Sequence, residues 1–379
     1  MTTGEPGTPL AYTMRQGTEI WHDGAVAAEL SAAIAGGATG ATSNPSLVLD
    51  AVDRERALWT GRIRALAADR PGATDTDLAA AVVREIAVRG GGLLTPTFDR
   101  EQGRRGRFAS QVSPAIYGDA GATLDESLAI AASGPNLQPK IPATRAGLEA
   151  LETLSARGVT AMATACFTVS QAVAVAEAVE RGLERAAASG HDTGSMTPLC
   201  VFLVGRTDDW FAALAEREGG AIDPSDLEWP GIACVKAAYR VYRERGHRTR
   251  LLVAGFRREL HWSAFVGGDL VLSLTPPWWR RIEASGAPAP APAAIDEPVD
   301  PRLVSRLSRA FADFPRALEV DGFRIDDFES LAPMVRTLRG FLRARHELLA
   351  FVGDALLPDP FAPREGGGDP PSGRDSLEE

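Results

Sequence analysis

Only two of the 40 basic side chains in this sequence are lysines, Lys140 and Lys236. A chain that writes its positive charge as arginine yet sets a lysine among apolar residues, in Pro135-Asn136-Leu137-Gln138-Pro139-Lys140-Ile141-Pro142-Ala143-Thr144, has a use for an amine there. A guanidinium stays protonated. An ammonium in an apolar pocket loses its proton readily and, once neutral, adds to a carbonyl to give a Schiff base. The competing reading is a strand-end lysine whose stem covers apolar surface while its head reaches water. Lys236, beside Ala237 and Ala238 on an amphipathic helical stretch, is expected to be solvated.

Further chemistry-bearing residues lie near strand ends. Asp23 closes the strand-like Glu19-Ile20-Trp21-His22 just ahead of an Ala/Leu-rich helical pattern, so it is either a carboxylate at a strand's carboxyl end or a helix N-cap. Asn44 precedes Pro45, which pushes it out of helical geometry and makes it a polar contact or a turn residue. Gln111 adjoins Val112, and a buried amide there must be hydrogen-bonded or face a cavity. Cys166, Cys200 and Cys234 are far apart without CxxC spacing, and no two of the five histidines stand at i, i+4. Neither a disulfide framework nor a metal site is signalled. Cys166 and Cys200 read as small core residues. His22 alternates away from Asp23 along the strand, so the two form no pair. No GxGxxG or Walker sequence opens a helix, and no cofactor is expected.

The elements that must position these residues alternate regularly. Strand patterns at 19–22, 40–47, 106–114, 135–144, 159–165, 198–206, 250–257 and 269–274 are separated by helical patterns at 25–35, 46–66, 76–89, 121–132, 145–157, 169–188, from 207, 233–245 and from 276. Eight such units predict a (β/α)8 TIM barrel, with the active site at the carboxyl ends of the strands. Asp23, Asn44, Gln111, Lys140, Thr164, Arg206 and Arg257 all fall at or just beyond such ends, although their types alone do not single them out.

The expected organisation is an N-terminal extension (1–18), the barrel (19–286), a Pro/Ala-rich loop (287–299), C-terminal helices packed on the barrel's outside (300–357, with helices at 301–314 and 326–351, the latter broken at Pro333) and a disordered acidic tail (358–379). Hydrophobic content of 45% and charged content of 24% suit a soluble globular protein. A net charge of -10, with arginines scattered and no basic run, argues against nucleic acid. No stretch resembles a signal peptide and no run of about 18 apolar residues follows, so neither export nor a membrane is expected, and the compartment is read as cytoplasmic.

Thr42-Ser43-Asn44-Pro45-Ser46-Leu47, Lys140-Ile141-Pro142-Ala143-Thr144, Thr164 with Phe167 and Gln171-Ala172, Val204-Gly205-Arg206 with Asp209-Trp210, and Phe256-Arg257 together resemble the transaldolase family over 19–281. The resemblance implies a class I aldolase-type barrel in which Lys140 is the Schiff-base lysine and Asp23 the acid/base on the substrate hydroxyl. It further implies that Thr164 positions water, that Thr42, Ser43 and Asn44 contact the sugar, and that Arg206 and Arg257 hold its phosphate. Gln111 stands where transaldolases carry a glutamate that works with the water. The related fructose-6-phosphate aldolases also have glutamine there, but they use a tyrosine where this chain has Leu203. Val201 and Gly255 replace two phosphate-assisting serines, and Met162 replaces an asparagine. The activity so implied is transfer of a dihydroxyacetone unit from a ketose phosphate such as fructose 6-phosphate to an aldose phosphate, in carbohydrate metabolism of the pentose phosphate type, by a monomer or homodimer. Aldolase-type cleavage and a catalytically silent binding module are the alternatives.

Overall fold

The computed structural model describes residues 7–219, 222–285 and 289–357. Eight parallel strands close in sequence order: β1 Glu19–Asp23, β2 Gly40–Thr42, β3 Arg107–Gln111, β4 Leu137–Pro142, β5 Met162–Cys166, β6 Leu199–Leu203, β7 Arg250–Ala254 and β8 Val271–Leu274. β8 pairs back onto β1, with Glu19 opposite Val271, and completes the (β/α)8 barrel that the alternation predicts. Nearly every strand residue is buried, because side chains fill the barrel on one face while helices cover the other.

Helix α1 Pro9–Arg15 precedes the barrel. Between strands run α2 Ala27–Ala35, then α3 Pro45–Arg54, α4 Arg56–Asp69 and α5 Asp75–Arg100, then α6 Ala120–Ala132, α7 Arg145–Ala156, α8 Val169–Ala188, α9 Val204–Glu218, α10 Pro230–Arg245 and α11 Leu260–Ser263. After β8 follow α12 Pro276–Ala284, α13 Pro301–Ala310, α14 Asp313–Leu318 and α15 Ala332–Leu356. The expected tail at 358–379 lies outside the described residues, as do two residues of the Pro/Ala-rich loop.

Three departures from the sequence expectation have physical causes. Helix α5 continues to Arg100, past Gly90-Gly91-Gly92 and Pro96, where the pattern suggests an end at 89. Gly90 and Gly91 are packing residues: a Cβ on Gly90 would sit 2.3 Å from the Phe108 ring and one on Gly91 2.8 Å from Leu137, so the bare backbone lets α5 lie close against β3 and β4. Strand β6 stops at Leu203, and Val204, Gly205 and Arg206 already belong to α9. The apolar run there fits both periodicities and carries no boundary signal. Pro333 begins α15 instead of breaking a helix, at a position where no backbone N–H is needed.

Helix α15 also departs from the expected outer position. It packs on α3, α4 and α5 and also touches the β5 strand and α9. Since α3 follows β2 and α9 follows β6 on the other side of the ring, a 25-residue helix that reaches both must cross the carboxyl end of the barrel. Its length, about 37 Å at 1.5 Å per residue, is enough for that crossing.

Candidate functional site

Alternation along the strands turns Asp23, Thr42, Gln111, Lys140 and Thr164 toward the barrel interior near the carboxyl ends. Register places Thr42 opposite Asp23, Gln111 opposite Lys140, and Thr164 opposite Pro142. Asp23, Gln111, Lys140 and Thr164 thus stand at the strand ends where the sequence pattern puts them, and Thr42 joins them. Lys140 is 4% exposed, and its Nζ donates to the carbonyl oxygen of Ser43 at 3.1 Å. Burial lowers its ammonium from the ordinary 10.5 to about 8; the Asp23 carboxylate opposes this and the Arg206 guanidinium adds to it. A strand-end lysine with its head in water is thereby excluded.

Asp23 is 9% exposed and lies within β1, whereas the N-cap of α2 is Val26, so the capping reading of Asp23 does not hold. Its Oδ1 accepts the Thr42 hydroxyl at 2.6 Å, and Thr42 Oγ1 also lies 3.1 Å from Ser273 Oγ on β8. The Ser43 hydroxyl donates to the Ala109 carbonyl, so both hydroxyls of this pair are already engaged within the protein. Asn44 is extended and caps α3, its Oδ1 accepting the N–H groups of Ser46 and Leu47; its Nδ2 carries no partner among the described residues. Gln111 is 5% exposed with both amide atoms unbonded, which leaves the cavity-facing alternative of the sequence reading.

Thr164 is buried directly before a bulge in β5, where non-glycine Ala165 adopts φ 59°. The segment is fixed by Gln171, whose Oε1 accepts the Phe167 N–H at 3.1 Å. Left-handed backbone at a non-glycine residue is strained and persists only where the surroundings impose it. Beyond the bulge Cys166 turns to Cys200, with their sulfurs 3.4 Å apart in the core.

Arg206 and Arg257 converge from α9 and the segment after β7. Arg206 donates to Thr337 Oγ1 at 3.0 Å, and its guanidinium carbon lies 5.4 Å from the Phe341 ring centre, both residues being on α15. Burial pushes its pKa down, as do the neighbouring Arg257 and Arg336, while Asp209 and Asp23 oppose this. Arg257 is forked onto Asp209 at 3.2 and 2.8 Å. Gly255 has φ 78°, a conformation in which a side chain would be strained.

Several supports of the site are missing from the sequence reading. Asp208 and Asp209 look like first-turn helix acids, but α9 begins earlier and each has another task. Asp208 meets His261 Nε2 at 2.7 Å and accepts the Gly231 N–H, while His261 Nδ1 accepts the Arg257 backbone N–H at 3.1 Å. Because Nδ1 accepts, the ring hydrogen is on Nε2, facing Asp208, and this buried chain fixes the backbone that carries Arg257. His261 stands four residues after Arg257, the one spacing in the sequence that could have flagged it. Thr337, Phe341 and Arg336 gave no sequence signal, since nothing local places α15 over the mouth. Lys236, expected in water, is half-buried and donates to the carbonyls of Ala294 and Glu297, with its pKa lowered to about 8 by burial.

Among the described residues no cluster of three His, Cys, Asp or Glu side chains is placed to hold a metal. No described helix is long and apolar enough to cross a membrane. A cavity of about 300 Å³ touches Ser43, Asn44 and Gln111, but Lys140, Asp23, Thr164 and the two arginines do not line it.

The architecture is thus a closed (β/α)8 barrel with a buried amine, a carboxylate and converging guanidinium groups at the carboxyl ends of its strands. The family described as Transaldolase/Fructose-6-phosphate aldolase matches residues 20–319, and the chain belongs to that family. It is 31% identical over 208 residues to a protein of Mycolicibacterium paratuberculosis named Transaldolase, covering 54% of this chain and 55% of that one. It is 31% identical over 249 residues to one of Acidothermus cellulolyticus with the same name (62% and 65%). A third of that name, from Thiobacillus denitrificans, is 32% identical over 232 residues (60% and 62%). The chain therefore matches less than two thirds of the length of each of these relatives.

Proposed function

We propose that this protein transfers a dihydroxyacetone unit from a ketose phosphate, such as fructose 6-phosphate, to an aldose phosphate through a Schiff base on Lys140. The observation that carries this reading is the buried Lys140 amine, with its pKa lowered to about 8 beside Asp23 and Arg206. Neutral Nζ adds to the ketone carbon, and loss of water leaves a protonated imine. The imine then draws the electrons of the adjacent carbon–carbon bond while Asp23 takes the hydroxyl proton, so that an aldose departs as its aldehyde. A three-carbon enamine stays on the lysine. It attacks the acceptor aldehyde, Asp23 returns the proton to the new hydroxyl, and water, oriented by Thr164, frees the product. Arg206, with Arg257 and Arg336 close by, offers guanidinium groups for the phosphate. A bound phosphate would compete with Asp209 for Arg257. Nδ2 of Asn44 is available to a sugar hydroxyl, and the Thr42 hydroxyl orients Asp23.

A second reading, aldolase-type release of dihydroxyacetone to water, is favoured by Gln111, because the fructose-6-phosphate aldolases that the chain resembles at this position also carry glutamine there. Incubating the purified chain with fructose 6-phosphate, with and without erythrose 4-phosphate, separates the two. Product only with the acceptor supports transfer, and dihydroxyacetone without it supports the aldolase. No turnover of this or any other ketose donor would overturn both and leave the silent binding module.

A further inference from the structure

We propose that the cavity beside β3, outside the barrel wall, is a binding site for a small amphiphilic anion with an apolar body, a single negative charge and a hydrogen-bonding group. The cavity lies between α5, α6, α15 and the segment 110–116, and its volume of about 300 Å³ is within the range of small-molecule pockets. Close-packed interiors leave few voids larger than a water, whereas this one would take about ten waters. Its walls are apolar, among them Val48, Val83, Ile116, Ile130, Leu348 and Leu349.

Polar side chains also line the cavity. Ser110, whose side chain alternates to the outer face of β3 while Gln111 faces the barrel interior, lines the cavity with its Oγ buried and unbonded. Buried polar groups are rarely left without partners, and a hydroxyl, able both to donate and to accept, asks for a ligand group such as a hydroxyl, an amine or an amide. Arg84, Arg345 and Glu126 line it as well. Glu126 Oε1 is held by the Ser113 N–H at 2.9 Å, and its carboxylate sets one negative charge against two guanidiniums. One unbalanced positive charge remains, which suits a singly charged anion better than a neutral molecule or a bisphosphate. This site does not depend on imine chemistry at Lys140.

The probe is 8-anilinonaphthalene-1-sulfonate, an aromatic body with one sulfonate and an amine hydrogen, titrated by fluorescence into the full chain. We expect one saturable site per chain. Val83→Trp, which fills the cavity from α5, should abolish it. Arg345→Gln should weaken it about tenfold, the factor that a lost charge-assisted contact carries. Should Val83→Trp fail to fold, Ala80→Trp on the exposed rim obstructs the same opening and must also abolish the site. Unchanged binding in the folded tryptophan variant and in Arg345→Gln would put the probe on another surface. Absence of saturable binding to the parent chain would mean a cavity for solvent only. Either result overturns the assignment.

Discussion

Replacing Lys140 by Met should make the protein more stable while destroying its chemistry. The unfolded chain holds the Lys140 proton up to its ordinary 10.5, while burial in the fold lowers that value to about 8. The gap of about 2.5 at about 1.4 kcal/mol per pH unit corresponds to about 3 kcal/mol. Its sign follows from proton binding. Between about pH 8 and 10.5 the unfolded state binds more protons, so wild-type stability rises with pH across that window; below pH 8 the folded state bears the full cost of a buried ammonium. Methionine keeps a stem of similar volume without the charge. After about 1 kcal/mol for the lost hydrogen bond to Ser43, the variant should be more stable by about 2 kcal/mol at pH 7. That advantage should vanish near pH 10.5. Urea denaturation of both proteins at the two pH values measures this directly, because the other titrating groups cancel in the difference. A stability difference that does not change between pH 7 and 10.5 would refute the buried, proton-shedding lysine. The predicted cost is of the kind an active site imposes on its fold.

Three further outcomes follow. Imine trapping by cyanoborohydride should rise with pH through about 8 in the wild type, and Arg206→Gln, which removes a positive neighbour, should move the midpoint upward; an unmoved midpoint counts against coupling of the two groups. His261→Ala should raise KM for a phosphorylated donor about tenfold with a smaller change in kcat, because it frees the Arg257 backbone, and should cost about 3 kcal/mol of stability by stranding buried Asp208. Steady-state kinetics against phosphorylated and unphosphorylated donors, with thermal unfolding, check both. Gly90→Ala should destabilise by about 1 kcal/mol or more, since a Cβ there would meet the Phe108 ring at 2.3 Å, although helix propensity alone favours the change by about 1 kcal/mol; calorimetry decides the sign.

All eight strands could be read from the sequence because each is a short apolar run between turn residues, and their alternation with helices leaves few topologies. Lys140, Asp23, Thr164 and Gln111 could be placed at one end of the barrel because strand ends are local features and parallel closure aligns them. What could not be read is set by distant packing. The role of Gly90 depends on a ring across the α5–β3 interface, and Arg206 meets Thr337 and Phe341, which are more than a hundred residues away in sequence. The Asp208–His261 chain was hidden for a different reason: an acid early in a helix already has an ordinary explanation in the helix dipole. Lys236 looked solvated because its helix face is amphipathic, and only the fold shows the Ala294 and Glu297 carbonyls that receive it.

The central claim, a carbonyl-condensing amine at Lys140, is tested most directly by reducing the protein with borohydride in the presence of fructose 6-phosphate and sequencing the modified peptide by mass spectrometry. The account predicts one added three-carbon unit, or the whole ketose, on the peptide containing Lys140, and none in Lys140→Met. An adduct at Lys236 or at the N-terminal amine instead, or no adduct with any ketose donor tried, would contradict it.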